Sequence, residues 1–238
     1  MNVEKKVKES LELLSLNWKI EKPIYDLHLG KRSDIVDTSI TIDKVIFHIP
    51  TLQSEGLFVL WKCLWPDCHN CCERQGRLPL TKDDISRIGQ TLGYKSEAEF
   101  IKNETVISSW DDVSNNLITT ITMISLKREQ DETNEQDGTP LRCRFLNSEG
   151  ECKIHPNKPG VCWLYPFASW STSDKGRLTV HATFQFTGDC PGFYTSNSLD
   201  SIMPVLQEYS KKIYDYTMAV NRTTREKYGA ISILEMHG

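Results

Sequence analysis

Hydrophobic positions along the chain change period several times, and each change marks an element. Val3, Val7, Leu11 and Leu14 recur at the spacing of one helix face, which predicts an amphipathic helix over residues 3–16. Thr38 to Ile49 is rich in Ile, Val, Thr and Phe and predicts strands that end before Pro50, since proline has no N–H to give to a ladder. Thr81 ahead of Asp84 and Ser96 ahead of Glu99 are placed as helix N-caps, the second in capping-box form, predicting short helices near 82–92 and 97–103. Asn116 to Lys127 is β-branched and strand-like, whereas Arg128 to Gly138 is polar, carries five acidic residues and reads as a mobile loop. The clearest alternation sets Leu178, Val180, Ala182, Phe184 and Phe186 against Thr179, His181, Thr183 and Gln185, a strand with one apolar face. Leu199 to Lys227, with Ile202, Leu206, Tyr209, Ile213 and Tyr216 on one stripe, predicts a long packing helix with Pro204 near its start.

Two turn signals bear on the cysteines. Ser173-Asp174-Lys175-Gly176 predicts a hairpin with an upstream arm near 165–172; continued outward, it would set Cys162 opposite about position 187. Cys162 and Cys190 would then meet at its open end. Asn147-Ser148-Glu149-Gly150 predicts a second hairpin with Cys143 and Cys152 on adjacent strands.

With 238 residues the chain can bury roughly 70–75% of its unfolded surface, so it has no need of cysteines to staple a small core. Its net charge is -4, with acidic and basic residues interspersed and a pI near 5.9, so the footprint of a general nucleic-acid binder is missing. Charged residues at Glu4, Lys5, Lys6, Lys8 and Glu9 lead into no secretory apolar run, and no window of about 18 apolar residues exists for a membrane span. The expectation is a cytoplasmic protein with reduced thiols, in which clustered cysteines mean metal or catalysis; four disulfides are the alternative.

Cys63, Cys68, Cys71 and Cys72 lie within ten residues, spaced C-x4-C-x2-C-C, and Cys143, Cys152, Cys162 and Cys190 fall in a second stretch of 48. Zinc takes four soft ligands in a tetrahedron, and a cubane iron–sulfur cluster takes four thiolates, so eight serve two sites or one site with spares. Cys68-x2-Cys71 is good chelate spacing, but adjacent Cys71 and Cys72 point apart in extended backbone, so they belong to different sites unless the backbone is irregular or the groups share ligands. Lys62, Arg74, Arg77, Arg142, Arg144, Lys153 and Lys158 flank the cysteines, either as compensation for thiolate charge or as ordinary surface. His69, His155 and His181 are substitute ligands or hydrogen-bond donors to the ligands, or, as the eight cysteines that already fill two sites favour, ordinary exposed or hydrogen-bonded histidines. The vicinal pair and the flanking cations favour iron–sulfur over zinc.

The chain resembles the YkgJ-like cysteine-cluster family, also called the CxxCxxCC or zinc- or iron-chelating domain. The matching segments are Trp61-x-Cys63, Cys68-x2-Cys71-Cys72, Leu80-Thr81-x2-Asp84, Cys143-x-Phe145-Leu146, Cys152-x-Ile154, Lys158-Pro159-x2-Cys162-x2-Tyr165-Pro166-Phe167 and Cys190-Pro191-Gly192. The resemblance implies that all eight cysteines are metal ligands, with an iron–sulfur cluster or Zn2+ as cofactor. The chain departs from the usual pattern in a four-residue first gap and in Lys158, Trp163 and His155, where arginine, arginine and tyrosine are common. The expected fold is α+β, an irregular cysteine-rich metal-binding core with short β-hairpins and packing helices. Its parts are an N-terminal extension (1–60), a cysteine-cluster domain (61–192) and a C-terminal helical extension (193–238). Two functions stand: a metal-binding module, or an iron–sulfur-dependent enzyme, oxidoreductase or lysine N-methylase-like as some longer relatives are. The chain has no G-x-G-x-x-G, G-x-S-x-G or H-E-x-x-H to favour catalysis. No substrate or protein partner is implied.

Overall fold

The computed structural model describes residues 8–9, 11–12, 17–73, 78–114, 117–129, 142–175, 177–186 and 190–225. The strands are β1 (Ile35–Ile42), β2 (Val45–Leu52), β3 (Leu57–Trp61), β4 (Leu78–Pro79), β5 (Thr105–Ser114), β6 (Leu117–Leu126), β7 (Phe167–Asp174), β8 (Arg177–Phe184) and β9 (Phe193–Ser196). The helices are α1 (Lys22–His28), α2 (Asn70–Glu73), α3 (Lys82–Thr91), α4 (Glu97–Glu104), α5 (Gly160–Leu164) and α6 (Met203–Arg225). The fold is α+β, as the residue pattern predicts. It divides into two compact units that interleave along the chain: residues 1–71 with 165–214, and residues 72–164 with 215–238.

The first unit is built on a six-stranded sheet with β2 as its hub. β1 pairs along the whole of β2 on one edge, while the other edge is shared by β8, in parallel at Val45 to His48, and β3, antiparallel at Thr51 and Leu52. The predicted strands therefore run through Pro50 instead of stopping before it. Pro50 is registered against Asp37 of β1, and no residue of β8 or β3 is registered with it on the other edge, so its missing N–H breaks no ladder there. The 173–176 hairpin forms as β7 and β8, closing at Asp174 and Arg177. β8 keeps the predicted alternation and buries Val180, Ala182 and Phe184 beside Val45, Phe47 and Ile49 of β2. Leu206, Ser210 and Ile213 of α6 are buried too, and Tyr209 meets Trp61 and Phe167 with ring centroids 6.0 and 5.1 Å apart. Pro204 sits in the helix's first turn, where a missing N–H costs nothing.

The second unit holds a three-stranded sheet, β4-β6-β5, with β5 and β6 forming a long hairpin from Thr105 against Leu126 to Ser114 against Leu117. Its core joins Leu78, Leu80, Ile85, Ile88, Phe100, Ile124, Leu126, Phe145 and Ile154. Helices α3 and α4 stand where their caps predict, but the reciprocal capping box is at Thr81 and Asp84. At Ser96 the hydroxyl accepts from the Glu99 N–H, while the Glu99 carboxylate reaches one residue further back, to the Lys95 N–H. Of the helix expected over 3–16, residues 8, 9, 11 and 12 are helical and Leu11 is fully buried; the others lie outside the described residues. Arg128 corrects the reading of a polar loop from that position: it is fully buried and forms a bridge with Cys143. Residues 130–141, the rest of that stretch, lie outside the described residues.

Candidate metal centre

All eight cysteines lie among the described residues in the thiol form. In the first unit, β3 ends at Trp61 and the chain passes through Lys62 to Cys63, which is exposed. The longer gap after it is taken up as a turn, closed by the Cys68 N–H on the Leu64 carbonyl at 3.1 Å, with Trp65 63% exposed. Cys190 returns to the same strand end. Its buried sulfur accepts a hydrogen bond from Trp61 Nε1 at 3.3 Å, and the Tyr165 hydroxyl donates to it as well. Gly192 makes the approach possible: its carbonyl accepts from the Lys62 N–H at 3.0 Å, and a Cβ there would lie 2.1 Å from the Lys62 oxygen. Burial pushes the Cys190 thiol up, and nearby Cys68 adds to the effect. Tyr209 is likewise pushed up by burial and then by Cys63, with Cys71 contributing. Cys68 thus lies near Cys190, and Cys63 and Cys71 lie near Tyr209, whose ring meets that of Trp61.

In the second unit, the Cys143 N–H donates to the Cys72 carbonyl at 2.8 Å. The predicted turn at 147–150 forms, with Gly150 at a φ of +82° that favours glycine, and pairs Leu146 with Cys152 as a bridge. Cys162 lies on α5, and its segment is tied to α3 by Asp84. That buried carboxylate accepts from the Thr81 N–H and hydroxyl at 3.0 and 2.9 Å, from Arg87, and from the Gly160 N–H at 3.0 Å. Burial pushes up the thiols of Cys143, Cys152 and Cys162. Cys72 and Cys143 raise Cys162 further, and Cys72 and Cys152 raise Cys143. Against this, Arg128 lowers Cys143, and Lys158 and Arg128 lower Cys162. Cys72, Cys143, Cys152 and Cys162 therefore share one neighbourhood with two cations.

One expectation is corrected here. Cys162 and Cys190 do not extend the β7–β8 hairpin, because the strand begins only at Phe167, after the Tyr165-Pro166 turn, and Cys162 is helical. The flanking cations divide. Lys158 lies over the Trp163 ring at 4.2 Å and acts on Cys152 and Cys162, while Arg142 pairs with Glu129, Arg144 with Glu104 at 3.2 Å, and Lys62 lies over Tyr194. Lys153 acts on Glu149; Arg74 and Arg77 lie outside the described residues. His181 is engaged with His48 at 3.1 Å and Thr172 at 2.9 Å and stacks on Trp170, so it serves the sheet. His155 is exposed against Trp163, and His69 is half-buried. Arg128, Tyr209 and the anchoring role of Asp84 were not read from the sequence as parts of the site. The Thr81–Asp84 cap signal and the Leu80-Thr81-x2-Asp84 segment of the family resemblance pointed near one of them.

Among the described residues, no three His, Cys, Asp or Glu side chains are already closed around one point as ligands of an ion. The donor set nonetheless fits a soft metal in kind: four thiols per neighbourhood, with Arg128 and Lys158 available to offset about two negative charges in one of them. An α+β chain with eight thiols placed in this way is of the cysteine-cluster class. It belongs to the family described as "CxxCxxCC: Putative zinc- or iron-chelating domain", whose model matches residues 62–191, more than half of the chain. No curated protein and no solved structure matches it. Among the described residues, no helix is long and apolar enough to cross a membrane.

Proposed function

We propose that this chain is a cytoplasmic metal-binding protein that holds zinc or iron–sulfur through Cys63, Cys68, Cys71, Cys72, Cys143, Cys152, Cys162 and Cys190. The observation that supports it most is the gathering of Cys72, Cys143, Cys152 and Cys162 from separate segments beside a fully buried arginine. Buried thiols gain from ionising only when a metal and nearby cations stabilise the thiolate, and the cations are in place.

Anaerobic purification followed by elemental analysis, acid-labile sulfide and an absorption spectrum tests the reading. Stoichiometric zinc without colour, or iron with sulfide and visible absorption that dithionite bleaches, supports it and identifies the centre. Chelation should lower the melting temperature, because metal binding contributes folding free energy. Metal-free protein with eight freely titratable thiols and an unchanged melting temperature would sink it.

A further inference from the structure

We propose that the eight cysteines form two separate four-thiolate sites, Cys63, Cys68, Cys71 and Cys190 in one and Cys72, Cys143, Cys152 and Cys162 in the other, and that the first is the exchangeable one. The proposal rests on the metal-binding reading and deepens it. The boundary between the two compact units falls at the Cys71–Cys72 bond, and the eight residues divide four and four across the units. Helix α2 carries that bond, and consecutive helical side chains diverge by about 100°, so the vicinal pair is built to serve two centres. The contacts within each unit agree with the division. Cys190 is held to Trp61, two residues before Cys63, and Cys143 is held to Cys72. Cys143, Cys152 and Cys162 all pack against the core of the second unit.

The two sets differ in what surrounds them. The second has Arg128 and Lys158, enough positive charge to bring a four-thiolate centre of about two negative charges close to neutral in a buried setting. In the first, Trp61 and Tyr165 donate to the Cys190 sulfur, and Cys63 stands exposed. Exchange starts where an incoming ligand can reach the metal. With a metal bound, an outside thiolate or chelator would enter beside Cys63, whose sulfur would leave and take a proton from solvent. The second set offers no such exposed sulfur, since its four cysteines are all half-buried.

The full chain, purified anaerobically and remetallated with zinc alone, should bind two zinc ions and release them to excess colorimetric chelator in two phases of equal amplitude. Cys63→Ser should leave one zinc, abolish the fast phase and keep the slow one. Because losing Cys162 threatens the core, Lys158→Met is the probe of the other site: it should speed the slow phase about tenfold and leave the fast phase alone. A single release phase, loss of both ions in Cys63→Ser, or a Lys158→Met effect on the fast phase overturns the division while leaving metal binding intact. Failure to bind zinc or iron at all overturns the metal-binding reading itself.

Discussion

Gly192 and His28 show how much rests on single side chains. A methyl group at Gly192 would sit 2.1 Å from a backbone oxygen that has no rotamer to escape through. Gly192→Ala should therefore cost about 2–3 kcal/mol in urea denaturation and weaken metal retention by displacing Cys190. Gly89→Ala is the control, since its Cβ would meet Phe100 at an ordinary 3.4 Å on helix α3 and should cost nothing. Equal stability of both variants would refute the packing argument. His28 lies between Phe186 and Phe193, with Nε2 buried and without a hydrogen-bond partner among the described residues. Burial pushes its pKa down from 6.5 to about 4. The unfolded chain thus takes up the proton first, so the stability present above pH 6.5 is lost as pH falls from 6.5 to 4, on the order of 3 kcal/mol in full. Denaturation of wild type and His28→Leu across that range should show the variant's slope reduced; parallel slopes would rule the residue out. Neither role was legible in the sequence, where one is the glycine that ends the Cys190-Pro191-Gly192 segment and the other a histidine without a motif.

Elements with a strong local code were legible, and those defined by distant partners were not. The α3 cap, the α6 stripe and the β8 alternation each announce themselves within fifteen residues, and each was found in place. α1, β3 and β9 carry little periodicity, and β3 and β9 are strands because each lies on the other. The 162–190 pairing failed for a related reason: hairpin geometry was carried past a Tyr-Pro turn, which ends the strand. Asp84 works at this scale, since one carboxylate both caps α3 and holds α5. Asp84→Ala should remove the capping box and leave the Gly160 N–H unanswered, a loss of about 2–4 kcal/mol. The metal-free variant should also expose Cys162 to a thiol reagent faster than wild type does. An unchanged modification rate would mean that α5 is held by its other contacts.

For the molecule as a whole, eight cysteines were recognisable as one inventory, yet their division depends on where the chain re-enters each unit, and no local spacing encodes that. The hub position of β2 has a consequence for the order in which the protein is made. Its parallel register with β8 joins Val45 to Val180, so the first unit's sheet waits, with β1, β2 and β3 alone, until most of the chain has left the ribosome. Cys72, Cys143, Cys152 and Cys162 are all synthesised before Cys190, and at ordinary elongation rates the interval after Cys162 is about 1–6 s. The nascent chain therefore offers Cys72, Cys143, Cys152 and Cys162 as a full set of four while Cys63, Cys68 and Cys71 still await Cys190.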